Sequence, residues 1–411
     1  MSLDSCTLIS SIANNVDLIQ KLKEQKKVNY FLINLDNFSN INSAYGYDIG
    51  DNVLYQVADY LCMVKPKSAI LYRFNADKFV LIDERELNNN DIRSIAESIL
   101  SFFSQIDIVV EKYLEFKVSL SIGVSCDIGL SNIIQAESAI NEMREMRRHH
   151  YYIYDAKSDY VKEQEKKVYW ILRIKEAVAD ENIVAYFQPI INNHTGKIEK
   201  YECLARIKNE NKIIPPYMFM DAARITGNLS YVTKSLISQS FKKFAGTDYE
   251  FSLNITGEDL LLDYLELYLL KNVKKYNIDP SKVVLEMLED ITTLDKGTTL
   301  AQLNSLREKG FQIAIDDFGA ENSNMSRLLE LKPDYLKIDG TFIKNIVSDE
   351  NSAIIVESIV FLCKKSNIKM IAEYVHNKEV QEKVKDLGIE YSQGYYFGEP
   401  KPDLIELSTS L

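Results

Sequence analysis

Eight short apolar segments recur through the second half of the chain, and most of them carry a polar residue at or near the end. They read AYFQPII, KYECLARI, EFSLNIT, VVLEML, FQIAIDD, YLKID, KMIAEYV and YSQGYYF. Their alternation with helix-length stretches over about 230 residues predicts a (β/α)8 barrel, a fold whose usual size is about 250 residues. The polar residues Glu202, Asn254, Glu286, Asp316, Asp317, Lys337, Asp339, Glu373 and Gln393 then fall where barrel enzymes assemble their active sites.

The first half has a different rhythm. Strand-like runs YFLINL, ILYRF, KFVLID and KVSLSIGVS are separated by helix-like stretches such as DNVLYQVADYL and IRSIAESILSFF, which predicts a separate α/β domain with a largely buried sheet. Between the halves, Val161, Val168, Trp170, Ile171, Ile174 and Val178 are spaced among many Lys and Glu residues, the pattern of an amphipathic connecting helix. A chain of 411 residues has room for this division. The expected organisation is an N-terminal helical lead over 1–26, a first domain over 27–156, the connecting helix over 157–181 and the barrel over 182–411.

With 60 acidic against 48 basic residues, the net charge of −12 disfavours indiscriminate binding to nucleic acid or anionic lipid. No nucleic-acid partner is expected, and a phosphorylated ligand needs a local site or bound cations. The five cysteines, Cys6, Cys62, Cys126, Cys203 and Cys363, are scattered and contain no C-x-x-C pair, as befits a reducing compartment. No window approaches the roughly 20 apolar residues of a membrane span, and the N-terminus lacks a leader pattern. A soluble cytoplasmic protein is expected.

Carboxylates at the ends of consecutive barrel strands converge on one mouth, where they repel one another unless positive charge lies between them. The all-oxygen set Glu202, Asn254, Glu286, Asp316, Asp317 and Glu373 suits Mg²⁺ or Mn²⁺ better than zinc. Successive strand residues point to opposite faces, so Asp316 and Asp317 can both reach the site only where the strand ends and turns. Such a pair can bridge two ions. Two ions about 3.5–4 Å apart clamp a phosphoryl oxygen and activate water, the chemistry of metal-assisted phosphodiester hydrolysis. Lys337 would supply charge near the attacked phosphate, and Gln393 would orient the water. Arg206 shares a strand face with Glu202 and could grip a phosphate beside the metals. A lone acid ending a strand is ordinarily a cap, whereas six in register point to a site. Asp339 and Glu289 read equally well as supports for neighbouring loops, and the tyrosines of YSQGYYF as packing.

The ordered series YFQPI, YECLAR, SLNIT, VLEMLED, IAIDDFG, LKPDYLKID, IAEYV and SQGYYFGEPKP resembles the EAL family of cyclic-di-GMP phosphodiesterases, from about residue 181 to 402. That resemblance implies two Mg²⁺ or Mn²⁺ ions on Glu202, Asn254, Glu286, Asp316, Asp317 and Glu373. It implies catalytic roles for Glu202, Lys337, Glu373 and Gln393, with Lys337 and Gln393 serving the water. Substrate contacts fall to Gln188, Arg206 and Asp339, and support of the loop after the Asp pair falls to Glu289. The implied reaction converts cyclic-di-GMP to linear pGpG, and the implied assembly is a homodimer. Four positions depart from the family pattern. Cys203 replaces the alanine of the name motif, which should be tolerated. In DDFGAENSN, Glu321 stands for a glycine and Asn322 for an aromatic, which removes backbone freedom and adds negative charge near the metals. His376 replaces a carboxylate after AEYV. Altered activity or altered regulation follows from these changes.

The first domain resembles the GGDEF family of diguanylate cyclases from about residue 27 to 155. Asn42 and Asp51 match its guanine-recognising pair, but the signature has become RFNADKF. Asn75 and Ala76 replace both glycines and Lys78 the glutamate, while Asp77 keeps the metal-binding acid and Asn34 replaces its partner. A nucleotide loses its backbone cradle and a metal is held weakly, so cyclase activity is not expected. The inhibitory R-x-x-D product site is also missing. A docking or dimerisation module is one expectation, and a GTP-sensing regulator is the other, with Lys78 free to contact phosphate. For the whole chain, an active phosphodiesterase stands against a catalytically silent cyclic-di-GMP receptor signalling through the altered loop, and against a barrel enzyme acting on another phosphorylated substrate.

Overall fold

In this computed structural model the described residues run from 13 to 405, apart from 76, 112–113, 147–149, 210–211, 263, 289–295, 320–327 and 329. Ala76, Glu289 and the altered loop at 320–324, with Glu321 and Asn322, lie outside them. The chain divides into two compact units, Met1–Lys166 and Lys167–Leu411. The helix Asp159–Ala179 runs through the division.

The first unit is built on a five-stranded sheet. Its strands are β1 (Asn29–Leu35), β2 (Ile70–Asn75), β3 (Lys78–Asp83), β6 (Leu120–Ser125) and β7 (Tyr151–Ile153), in the order β2-β3-β1-β6-β7. All pairings are antiparallel except β6 with β7. Two further strands, β4 (Ile108–Glu111) and β5 (Leu114–Phe116), form a separate hairpin. β1 is central and buried throughout, because alternate residues feed two cores. Phe31, Ile33 and Leu35 pack against the helices Tyr47–Val64 and Asn89–Gln105. Tyr30 and Leu32 pack against the helices Asn15–Leu22 and Ser131–Glu145. Leu18 and Leu22 are buried there, so residues read as a helical lead contribute to this unit's core.

The second unit closes into a barrel. Its strands are β8 (Ile183–Asn192), β9 (Ile198–Asn209), β11 (Glu250–Asn254), β12 (Val283–Leu288), β13 (Gln312–Phe318), β14 (Tyr335–Ile338), β15 (Lys369–Ala372) and β16 (Tyr391–Gln393), with β10 (Lys212–Ile214) added on the outer edge of β9. β9 and β11 to β16 are parallel to their neighbours in turn. The regular (β/α)8 expectation needs one correction: β8 runs antiparallel to both β9 and β16 and closes the ring. Only residues 193–197 separate β8 from β9, too few for the crossover of a dozen or more residues that a parallel pair requires. A turn closed by Gly196 N donating to Asn192 O makes a hairpin instead.

Strand alternation sorts the barrel into two layers. Phe251, Leu253, Leu285, Ile313, Leu336 and Met370 join the helices in the outer core. Ile190, Val284, Ala314, Tyr335, Ile371 and Tyr391 form a small inner cluster that fills the barrel. Phe244 stacks on Phe251 at 4.6 Å and fastens the helix Leu229–Phe244 to the sheet. Cys203 is fully buried in the outer core, so the substitution in the name motif faces the helices and not the mouth.

Candidate active site

Five of the six inner-layer residues are followed two positions later, on the same strand face, by a polar one, and Ile190, on the antiparallel β8, is preceded at the same distance by Gln188. Val284 leads to Glu286, Ala314 to Asp316, Tyr335 to Lys337, Ile371 to Glu373 and Tyr391 to Gln393. Across the ring, Ser252 pairs with Glu202, and Asn254 with Glu286. A period of two, in strands held in register, therefore lifts one complete polar layer above an apolar floor.

Lys337 is at the centre of that layer and is 1% exposed. Its Nζ lies 2.9 Å from Asp316 Oδ1, 2.9 Å from Glu373 Oε1, 3.1 Å from Glu286 Oε2 and 3.5 Å from Glu202 Oε2. Asn254 donates to Glu202 Oε1 at 2.9 Å. Gln393 Nε2 donates to Glu202 Oε2 at 2.6 Å and to Gln188 Oε1 at 3.0 Å, and Gln188 donates in turn to Gly398 O. Glu286 Oε1, Glu373 Oε2 and Gln393 Oε1 are buried and have no hydrogen-bond partner among the described residues.

One ammonium faces four carboxylates, and the remaining negative charge shows in the proton affinities. Burial and then Glu202 and Asp316 push Glu286 up to about 8 against the pull of Lys337. Burial, with Asp316 and Glu202 adding to it, raises Glu373 well above the carboxylate range. Burial would raise Glu202 too, but Lys337, Gln393 and Asn254 together hold it below. Burial and the neighbouring Asp316 push Asp317 up to about 6. Burial alone would lower Lys337, yet the carboxylates around it raise it well above its ordinary value, so it stays charged.

Asp316 and Asp317 reach the same place through a β-bulge. The pairing of β13 with β14 slips between Ile315 and Phe318, leaving two residues opposite Lys337, and Asp317 takes a φ of 51°. Carboxylate oxygens of Glu202, Glu286 and Asp316 lie within 4.8 Å of one another, and those of Asp316, Asp317 and Glu373 form a second such group. The two groups share Asp316. An all-oxygen donor set with buried, unpartnered oxygens fits a hard divalent cation.

Other expected residues are placed differently. Asp339 caps the helix Gly340–Asn345, accepting from Thr341 N at 2.7 Å and from the Thr341 hydroxyl, and does not join the carboxylates on Lys337. Arg206 makes no ion pair among the described residues; it donates to Ala205 O at 2.8 Å and lies over the Tyr186 ring. His376 is exposed, with Nδ1 3.3 Å from Tyr374 O.

In the first unit, a cavity of about 740 Å³ is lined by Asn34, Asp36, Asp77, Ser119, Ser121 and Arg144, among others. Asp36 accepts from Ser121 at 2.7 Å, from Ser119 at 3.2 Å and from Arg144 at 3.3 Å, while the buried Asn34 donates to it at 3.4 Å. Lys78, expected as a possible phosphate contact, has its Nζ paired with Glu137 at 2.8 Å. Asn42 packs beside Gly50, with its amide oxygen buried and unpartnered among the described residues. Asp51 lies on the adjoining helix Tyr47–Val64, and Asn75 ends β2 at a register shift. The Arg144–Asp36 pair was invisible in the sequence, which carries no periodic signal for contacts between distant elements.

Fold and site together describe a two-unit α/β protein whose barrel opens on a buried acidic cluster. The chain belongs to the EAL family: the EAL domain model matches residues 172–400, and the model of the diguanylate cyclase GGDEF domain matches 12–150 ahead of it. It is 28% identical over 386 residues to the cyclic di-GMP phosphodiesterase PdeB of Shewanella oneidensis, covering 90% of this chain and 44% of that protein. It is 26% identical over 399 residues to the bifunctional diguanylate cyclase/cyclic di-GMP phosphodiesterase MucR of Pseudomonas aeruginosa, covering 93% of this chain and 57% of that one. The chain thus spans about half the length of these curated relatives. Among solved structures, the PaMucR phosphodiesterase in complex with c-di-GMP matches with a TM-score of 0.54 at 26% identity, over 57% of this chain and 97% of that one. Among the described residues, no helix is long and apolar enough to cross a membrane.

Proposed function

We propose that the barrel hydrolyses one phosphodiester bond of cyclic-di-GMP to give linear pGpG, with two Mg²⁺ or Mn²⁺ ions as cofactors. The observation that carries this reading is the pair of carboxylate groups sharing Asp316, four of whose members surround a single buried lysine. Glu202, Asn254, Glu286 and Asp316 would hold one ion, and Asp316, Asp317 and Glu373 the other. Divalent cations at such a site supply positive charge to a phosphoryl oxygen and acidify water. The relatives named above as cyclic di-GMP phosphodiesterases support the substrate.

The chain's own residues do the rest. Lys337, permanently charged, fixes the directions of four ligand carboxylates and keeps positive charge beside the reacting phosphate. Gln393 is locked by two donated hydrogen bonds, so its free Oε1 can accept from the attacking water and orient it. Gln188 accepts from Gln393 and holds it in place, and would contact the substrate beside it. Arg206, paired with no carboxylate among the described residues, is available to a phosphate at the rim. Asp339 shapes the backbone after β14 by capping the next helix.

The GGDEF domain is read as catalytically silent, with a regulatory or dimerisation role. Asn34 in place of an acid, Asp36 engaged by two serines and an arginine, and Lys78 paired with Glu137 all support this reading. GTP is the ligand to test in its cavity. The deciding experiment incubates purified protein with cyclic-di-GMP and each metal and resolves the products by chromatography. Formation of pGpG is expected; tight binding without turnover in either metal would assign the barrel to the receptor class.

A further inference from the structure

Tyr374 directly follows the carboxylate Glu373 and has a φ of 53°, a left-handed conformation that bulky residues avoid. Burial does not force it there, since the side chain is 68% exposed. The backbone around it is nonetheless fixed. Glu373 N donates to Ile338 O, and Val375 N donates to Gln393 O at 3.0 Å, so the peptides on either side are tied to two barrel strands. The ring lies so close to Gly340 that a methyl group at that position would collide with its Cβ, Cγ and Cδ2. Room for the ring therefore depends on the missing side chain at 340.

Gly340 lies just past the C-terminal end of β14, the strand that carries Lys337, so the ring packed on it is on the same end of the barrel as the acidic mouth. Tyr395, two residues after Gln393, is 69% exposed, and Tyr396 N donates to Val375 O at 3.1 Å, which stitches the two tyrosine-bearing segments together. A ring that is 68% exposed buries little apolar surface to offset the cost of an unfavourable backbone conformation. Such residues persist at ligand sites, where the conformation serves to present the side chain.

We propose that Tyr374 is a ligand-binding residue whose ring stacks on a purine base of the cyclic dinucleotide, presented over the mouth by its left-handed backbone. The proposal rests on the reading of the barrel as a cyclic-di-GMP site and adds the surface that holds one base. Every nucleobase has a face to stack, and a rigid aromatic ring provides a partner for it at small conformational cost.

The test compares Tyr374→Gly and Tyr374→Phe with the parent protein. Glycine adopts positive φ without strain, so Tyr374→Gly should unfold at a higher temperature than the parent. Base stacking on an aromatic residue is worth about 1–3 kcal/mol, so the same variant should raise KM for cyclic-di-GMP about tenfold, with kcat changed less than twofold. Tyr374→Phe should keep the parent KM. Parent-like KM in Tyr374→Gly with the parent turning over normally overturns this inference alone, as does a Tyr374→Gly protein that unfolds earlier than the parent. Parent protein that neither binds nor cleaves cyclic-di-GMP overturns the functional reading and this inference with it.

Discussion

Replacing Lys337 with methionine removes the one positive charge, among the described residues, in contact with Glu202, Glu286, Asp316 and Glu373 while keeping most of the side-chain volume. Breaking a buried ion pair by deleting one partner costs about 3–5 kcal/mol. At roughly 2–4 °C per kcal/mol for a unit of 150–250 residues, the barrel's unfolding midpoint should fall by about 6–20 °C in chelator at neutral pH. The pH dependence gives a sharper signature. Glu286, at about 8, and Glu373, also raised, bind protons more tightly folded than unfolded, so their contribution is fully present below the unfolded carboxylate range and is lost as pH rises through the folded values. Lys337 itself, raised well above 10.5, contributes a constant term from pH 5 to 8. Without it those carboxylates rise further, and stability should fall more steeply with pH. The gap between Lys337→Met and the parent should be smallest near pH 5 and widen toward pH 8, and added Mn²⁺ should narrow it. Circular dichroism melts across that range, with and without metal, measure all of this. Equal midpoints at pH 8 in chelator would refute the reasoning.

Glu202→Gln and Asp316→Ala should each lower pGpG formation at least about 100-fold if each removes a metal ligand, as proposed, and not merely its support; chromatography of the reaction products tests it. Metal binding requires Asp317, at about 6, and Glu286, at about 8, to lose their protons, so apparent affinity should rise from pH 6 to pH 8 with proton release. Calorimetry in two buffers of different ionisation heat measures the protons released, and a pH-independent affinity would contradict the assignment. No cyclic-di-GMP should form when the protein is incubated with GTP and Mg²⁺, and any product detected would show that the changes at Asn34, Asn75 and Lys78 leave the cyclase chemistry intact.

The barrel's eight strands were readable because each is an apolar run bounded by polar positions, and Glu202, Glu286, Asp316, Glu373 and Gln393 stood out as the polar residues those runs tolerate. The two-residue step from floor to mouth, as from Val284 to Glu286, is the same period that orders a strand and so survives in the sequence. The hairpin between β8 and β9 left a fainter trace, the short NNHTGK stretch, which alternation of strands and helices obscured. That Asp316 and Asp317 share one site was anticipated from a strand end, whereas the structure achieves it by a bulge within β13. The pairing of Lys78 with Glu137 and of Arg144 with Asp36 depends on helix placement across the sheet, which no local pattern encodes. Tyr374 was illegible for a different reason: left-handed positions are ordinarily marked by Gly or Asn, and a tyrosine gives no such mark.

Anomalous diffraction from crystals grown with Mn²⁺ addresses the acidic mouth itself. Two peaks should appear about 3.5–4 Å apart, one against Glu202, Glu286 and Asp316 and the other against Asp316, Asp317 and Glu373, with Asp316 common to both. A mouth without manganese at saturating concentration, with Lys337 still bridging all four carboxylates, would contradict the assignment of these residues as a two-cation centre.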